Sequence, residues 1–500
     1  MGYSGKRNLD KKISRILLIY PPIVNIDFTN NVCELPLGLA SIAAFVRDQV
    51  EVQVLDAALE GYHHEETVGP HLIRYGLSDA VILKKVAEVK PDLVGFSCLF
   101  SGQFPIIRGL VEQVKKLDPG MVTVVGGTHP SMLPETALKT TKLDFVILGE
   151  GELSFSRLLD RLSKGQSVAD LGGIALRDNG GIRVNKEVDY IEDLNTLPIP
   201  ARELFKVEEY FKINLPMQTL SRSARTLAVA SSRGCPYNCG FCCSVIHWGH
   251  RFRARSPEHF LGELEQLKSR WDVKELKFQD DNLTFNHKHA KEVFSGMIDR
   301  KLDLVWNTPN GISPWTLNEE ILELMKASGC YEIALAIESG DPWVLKNLIH
   351  KPVDLEQTRQ VVKIMKKVGI ETSAFFIIGF PTETRQQIMN TINYAKSLDL
   401  DRCYLLIYAP LPGTPLAQLA IERGKISSDF DFENANNYFL PKLHLSEVEP
   451  EELIRVHRRA FWEINLAFLY RHPAKFFEKY YRTLASHPEF ILKFLKALFR

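Results

Sequence analysis

Short β-prone runs alternate with helical stretches twice along this chain, and no other feature restricts its fold so strongly. In the first third, β-rich runs at 16–20, 51–55, 93–97, 122–125 and 145–148 alternate with 37–47, 79–88, 104–116 and 152–162, where apolar residues fall at helical spacing. This alternation predicts a parallel sheet covered on both faces, a doubly wound (Rossmann-like) α/β domain. Ligands of such sheets lie beyond the carboxyl ends of the strands. That rule singles out Pro21-Pro22, the stretch from Ser97 to Gly102, the loop Gly126-Gly127-Thr128-His129-Pro130, and Gly149-Glu150-Gly151-Glu152. Their glycines let the backbone approach a large flat ligand closely. A G-x-G-x-x-G dinucleotide fingerprint does not occur in these loops.

The alternation resumes at Thr226. Strands are expected at 227–231, 275–279, 304–307, 333–337, 372–378 and 403–408, with helices at 257–268, 287–300, 318–327, 355–367 and 385–397. Six βα units fall short of the eight that close a TIM barrel, so a partial (βα)6 barrel is expected. Between the two domains, Gly172-Gly173 and Gly180-Gly181 punctuate a short β-like stretch that Leu197-Pro198-Ile199-Pro200 closes, a linker with a small hairpin. From about Pro450 the chain reads as a helical region, broken at His472-Pro473 and His487-Pro488. The expected layout is a polar tail (1–14), the doubly wound domain (15–165), the linker (166–222), the barrel (223–425) and the helical C-terminal region (426–500).

Cys235, Cys239 and Cys242 lie just past the first barrel strand, in the order C-x3-C-x2-C. Three thiolates on one tight loop suit three corners of a [4Fe–4S] cluster. Cubanes ordinarily take four cysteines, so three leave one iron open for chemistry on a ligand. The alternative is a zinc loop, which wants a fourth Cys or His, with His247 and His250 as candidates. The mouth of a βα barrel is where such folds place their chemistry.

Composition narrows the function class. Lys+Arg and Asp+Glu both number 61, so no overall field points to nucleic acid. The chain has 8 cysteines, four of them between Cys235 and Cys243, which is no disulfide framework and indicates a reducing compartment. The N-terminal segment is polar and basic, and no apolar run reaches the length of a membrane span, so a cytoplasmic location is expected.

The loops of the first domain resemble those of the cobalamin-binding domain that precedes the catalytic core in one large group of radical S-adenosylmethionine (SAM) enzymes. The matching stretches are Leu35-Pro36-Leu37-Gly38-Leu39, Val125-Gly126-Gly127-Thr128-His129-Pro130, Pro134-Glu135 and Gly149-Glu150-Gly151-Glu152. The resemblance implies cobalamin contacts at Pro36, Gly38, Ser97, Gly126, Gly127, Thr128, Gly149, Glu150 and Gly151. One departure is plain. Many such domains carry Asp-x-His-x-x-Gly after the first strand, with the His on cobalt, whereas this chain reads Pro21-Pro22-Ile23-Val24-Asn25-Ile26-Asp27. The resemblance thus implies cobalamin without a histidine from that loop, and His129 lies in another one.

Residues 224–425 resemble the radical SAM core. This implies that Cys235, Cys239 and Cys242 hold the cluster, whose open iron is chelated by SAM. Asp280, Asp281 and Asn282 end the second strand, where the family holds the SAM amino group; a helix cap is the competing reading. Glu338 and Ser339 follow the fourth strand, at the ribose position. Gly379 begins the turn after the fifth, whose backbone would meet the adenine. Phe241 either packs near the adenine or fills the core. Cys243 would point away from the iron served by Cys242 and is a candidate donor near substrate. Arg251, Arg253 and Arg255 either meet an anionic group or form a solvated basic loop.

The C-terminal region is aromatic and basic, with ten Lys+Arg against three Glu between Leu453 and Arg500. Its last helix would place Phe490, Ile491, Phe494, Leu495, Leu498 and Phe499 on one face, either capping the barrel mouth or touching a membrane interface. The expected function is that of a cobalamin-dependent radical SAM enzyme. Methyl transfer to an unactivated carbon, by way of a 5′-deoxyadenosyl radical, is the leading reading. Oxidative cyclisation or rearrangement without net methylation is the second, and a non-catalytic cobalamin or metal sensor the third. The expected partners are a flavodoxin- or ferredoxin-type electron donor and a small, apolar or lipid-like substrate.

Overall fold

The computed structural model describes residues 13–27, 29–178, 180–215, 221–434 and 443–486. The chain divides into two compact units, residues 1–215 with 246–249, and residues 216–245 with 250–500.

The first unit is built on a seven-stranded sheet. Its strands are β1 (Arg15–Tyr20), β2 (Glu51–Asp56), β3 (Leu93–Ser97), β4 (Val122–Gly126), β5 (Phe145–Ile147), β6 (Ile174–Asp178) and β7 (Gly181–Asn185). Their spatial order is β2-β1-β3-β4-β5-β6-β7. The first five are parallel, whereas β6 pairs antiparallel to β5 and to β7. Ile16, Leu17, Leu18 and Ile19 of β1 are all buried, which is what helices on both faces require. Those helices are α1 (Leu37–Val46), α2 (Asp79–Val89), α3 (Phe104–Leu117) and α4 (Gly151–Ser163), with α1 against α4 and α2 against α3. On α3, Phe104, Ile107, Leu110, Val111 and Val114 recur at helical spacing and are buried.

Two features depart from the sequence expectation. The hairpin at 174–185 is not a free-standing linker element, because β6 continues the main sheet beside β5. A second sheet joins Ile23–Ile26, Leu72–Tyr75 and Glu65–Gly69 in antiparallel pairs. These short strands are half polar and show no clean alternation, so periodicity does not reveal them.

In the second unit β8 (Thr226–Val229), β9 (Glu275–Phe278), β10 (Val305–Ile312), β11 (Cys330–Glu338), β12 (Glu371–Ile378) and β13 (Arg402–Ile407) follow one another in sequential order. All neighbours are parallel. The crossovers run through α5 (Pro257–Trp271), α6 (His287–Asp299), α7 (Glu319–Ala327), α8 (Leu355–Val368) and α9 (Arg385–Ser397). The expected six-unit barrel is thus present. β10 runs past the expected end at 307 because Pro309 and Gly311, ordinarily strand breakers, sit at a shift in register between Thr308 and Ile312. The C-terminal helices are α10 (Pro450–Arg471) and α11 (Pro473–Ser486), broken at His472-Pro473 as expected. The expected last helix, from Phe490 to Phe499, lies outside the described residues.

Candidate functional site

The cysteine loop follows β8 and is braced at both ends by residues just after β9. Asp280 is buried and accepts from the Ser231 amide at 3.1 Å, from Ser231 Oγ at 2.7 Å and from Ser232 Oγ at 2.5 Å. Asp281 accepts from the Gly234 amide at 3.1 Å, before Cys235, and from Ser244 Oγ at 2.8 Å, after Cys243. Burial raises the pKa of both carboxyls. Their side chains are thus engaged with the loop rather than with the cap of α6, which is supplied instead by Asn286. Asn282 is wholly buried and adjoins Cys235, with its amide Oδ1 unbonded in the structure.

The middle of the loop is clamped from below. The Gly240 amide donates to the Ile349 carbonyl at 2.8 Å, and the Leu416 amide donates to the Gly240 carbonyl at 2.8 Å. A Cβ on Gly240 would stand 2.6 Å from the Leu348 carbonyl oxygen, so only glycine fits. Cys239 lies in an apolar floor with Val344, Leu345, Ile349, Phe380 and Leu416. Burial pushes the Cys239 thiol up to about 11 and raises Cys235, Cys242 and Cys243 as well. Iron displaces such protons, since metal ligation deprotonates a thiol outright. The Ser244 amide reaches Cys242 Sγ at 3.4 Å. Among the described residues no three His, Cys, Asp or Glu side chains converge on a single ion. Three cysteines on one loop suit three irons of a cluster.

Lys351 is the site residue that sequence reasoning missed. Its ammonium pairs with Glu338 at 2.8 Å, both side chains being buried. Burial works against that ammonium, but the Glu338 carboxylate, together with negative charge on Cys239 and Cys242, outweighs it and holds the pKa above the ordinary lysine range. Glu338 carries φ of +71°, the left-handed region, where a non-glycine residue is costly and points to an overriding constraint. Ser339 is buried and bonded to Thr391 and to the Asp341 amide. After β12, Gly379 takes φ of +83° and its amide donates to Glu383 Oε2 at 2.6 Å. Phe241 leans on Phe380 of the same turn, ring centroids 6.2 Å apart, so it serves the packing between the cluster loop and this turn. Arg255 is engaged by Glu263 and His259, and Arg253 is buried on the short strand that pairs with Ser232-Arg233. Of the three arginines only Arg251 is exposed.

In the first unit, β1 is flanked by β2 on one side and β3 on the other. This is the point where strand order reverses, and ligands of such sheets bind in the crevice there. Leu99 and Phe100, just past Ser97, are large apolar residues left exposed at that end of β3. Gln103 Oε1 holds their two amides, each at 3.1 Å. The glycine loops after β4 and β5 are tied together by Ser131, whose Oγ donates to the Gly127 carbonyl at 2.7 Å and accepts from the Gly149 amide at 2.9 Å. Gly127 has φ of +114° and its Cβ would stand 2.4 Å from the Cys98 carbonyl oxygen. Gly38 sits exposed in the first turn of α1, after Pro36, with open space where a Cβ would go. Exposed apolar side chains beside loops with glycine backbone suit the flat face of a corrin. Glu150 is spent otherwise: its carboxylate accepts from the Ile191 amide at 2.9 Å, and Glu152 accepts from Ser41 at 2.6 Å. His129 is buried, bonded to Ser101 at 2.9 Å and packed on Phe104.

Comparison with known proteins matches this division. The B12 binding domain family model covers residues 29–159, and the radical SAM superfamily model covers 229–395. The cytidylyl-2-hydroxyethylphosphonate methyltransferase of Streptomyces wedmorensis is 32% identical over 449 residues, 84% of this chain and 84% of that protein. The chain belongs to the B12-binding radical SAM enzymes. An uncharacterized methyltransferase of Pyrococcus horikoshii is 31% identical over 454 residues, covering 90% of this chain and 92% of its own. The fold is shared with the radical SAM methyltransferase TsrM of Kitasatospora setae, solved with cobalamin and a [4Fe–4S] cluster, at a TM-score of 0.68 and 17% identity over 90% of this chain and 89% of that one. As a B12-binding radical SAM enzyme the protein works with a [4Fe–4S] cluster, SAM and cobalamin. Neither histidine offered for the zinc alternative is needed.

Proposed function

We propose that the protein transfers a methyl group to an unactivated carbon of a small, apolar molecule. The observation that carries this reading is that two relatives aligned along most of the chain are named methyltransferases. When bound, the cofactors supply a 5′-deoxyadenosyl radical from SAM and a methyl group from cobalamin. Cys235, Cys239 and Cys242 hold the cluster, on a loop that Asp280, Asp281 and Gly240 keep in shape. Asn282, Glu338, Ser339 and the Gly379 turn flank SAM, and the Glu338–Lys351 pair keeps a positive charge beside the cysteines. Pro36, Gly38, Ser97, Gly126, Gly127, Thr128, Gly149 and Gly151 border the cobalamin crevice and contribute mainly backbone. Cys243, next to the cluster loop, is the thiol available near substrate. An electron donor of the flavodoxin or ferredoxin type reduces the cluster. The enzyme works in the cytoplasm, touching a membrane peripherally.

Support comes also from Cys239, which is buried on an apolar floor, since radical chemistry demands that water be excluded. The test is anaerobic reconstitution followed by turnover with methyl-labelled SAM and an apolar metabolite extract. The expected result is 5′-deoxyadenosine together with label in one extracted compound, both abolished by Cys239→Ala. Consumption of a compound with 5′-deoxyadenosine but without label would reject methyl transfer.

A further inference from the structure

α10 is apolar on two sides. Leu453, Ala460, Ile464 and Phe468 are buried and seat the helix against α9 and β13. His457 bonds the Leu405 carbonyl at 2.8 Å, and Glu463 pairs with Lys396 at 2.6 Å. That face is satisfied by the protein itself. Trp462, Leu466 and Tyr470 follow one another at one-turn intervals on another face and stand in solvent, Leu466 at 57% and Tyr470 at 89% exposure. On α11, Phe477 and Tyr481 repeat the four-residue spacing, with Tyr481 at 74%. A contiguous run of large apolar side chains on a surface marks an interaction site.

Charge indicates the occupant. Exposed Arg455 and Arg459 precede Trp462 by seven and three residues, which places them on its side of the helix. From Leu453 to Arg500 ten Lys+Arg face three Glu, in a chain whose charges balance at 61 each over its whole length. Tryptophan and tyrosine favour the boundary between headgroups and acyl chains, while arginine and lysine favour anionic headgroups. No helix among the described residues is long and apolar enough to cross a membrane, so contact through these helices is with one leaflet.

We propose that Trp462, Leu466, Tyr470, Phe477 and Tyr481 form a docking surface for an anionic lipid bilayer. The inference deepens the reading of a peripheral enzyme with an apolar substrate and rests on that part of it. A second copy of the chain is the competing occupant, but a surface so rich in positive charge repels itself.

Flotation of the full-length holoenzyme with vesicles of phosphatidylcholine, with and without phosphatidylglycerol, tests the proposal. The holoenzyme is expected to float with the anionic vesicles and to bind at least about tenfold more weakly when salt is raised to about 0.5 M. Trp462→Ser/Leu466→Ser/Tyr470→Ser should lose binding by about tenfold or more, and so, independently, should Phe477→Ser/Tyr481→Ser. Trp343→Ser, on an exposed residue elsewhere, should bind as wild type. Absence of flotation with either vesicle would overturn the proposal. So would a concentration-dependent dimer in sedimentation velocity that the triple variant disperses. Vesicle binding without methyl transfer would sink the functional reading and leave the docking surface standing.

Discussion

Lys351 Nζ donates to Glu338 Oε1 across 2.8 Å, with the two side chains only 7% and 8% exposed. The pair crosses from the end of β11 to the segment after the Leu345–Ile349 turn, whose Ile349 carbonyl holds Gly240. Lys351→Met would leave the Glu338 carboxylate buried and unpaired, at a cost of about 3 kcal/mol in unfolding free energy. Guanidinium unfolding should show that loss. The double variant Lys351→Met/Glu338→Leu should recover much of it while still lowering iron content.

Gly240→Ala should strike the metal centre selectively. Its methyl group would meet the Leu348 carbonyl oxygen at 2.6 Å, so the loop must lift. Iron per chain after anaerobic reconstitution should fall to less than about half of wild type. Gly38→Ala, where a Cβ finds open space, should leave iron unchanged and stability within about 0.5 kcal/mol.

Glu383 makes stability depend on pH. Burial raises its carboxyl from 4.5 to about 8, despite hydrogen bonds from the Phe380 and Gly379 amides that favour the charged form. The native state therefore holds a proton that the unfolded state has released across that interval. This contribution to stability is full below the unfolded value of 4.5 and is lost as pH rises through about 8. Denaturation midpoints measured across pH 5–9 should fall more steeply for wild type than for Glu383→Gln, which cannot ionise.

Ser131→Ala should loosen the two glycine loops of the first unit. One hydroxyl accounts for both the bond to the Gly127 carbonyl and the bond from the Gly149 amide. Losing them at about 1 kcal/mol each would weaken corrinoid binding by roughly thirtyfold. Titration of hydroxocobalamin followed by absorbance would measure this, with unchanged iron content as the control.

Much of this architecture was legible in the chain, because repeated βα units bury whole strands and leave a strong period. The strands at 16–20, 93–97 and 122–125 and helix Arg385–Ser397 follow directly from that period. The cysteine loop was legible for another reason: three thiols at fixed spacing have few chemical uses. What escaped has physical causes. Pro309 and Gly311 disguise the continuation of β10, and the sheet formed by Ile23–Ile26, Leu72–Tyr75 and Glu65–Gly69 has strands too short to show a period. Lys351 looked like any surface lysine, since its burial depends on Glu338, thirteen residues earlier and in another element. Ser131 and Gln103 were hidden likewise, as both act on backbone atoms that sequence does not bring together. Glu150 shows the converse: it stands in a ligand loop, yet its carboxylate serves Ile191.

The bonds from Gly240 to Ile349 and from Leu416 to Gly240 also set an order of events in the cell. The cysteines leave the ribosome well before the partners that fix their loop. At synthesis rates of about 5–20 residues per second, the stretch from Gly240 to Leu416 takes roughly 10–35 s to appear. Through that interval the three thiols are carried on an unfinished barrel, open to oxidation and to the wrong metal. The clamp on the cysteine loop is thus complete only once Leu416 has been made, and iron loading is expected to follow that point in synthesis.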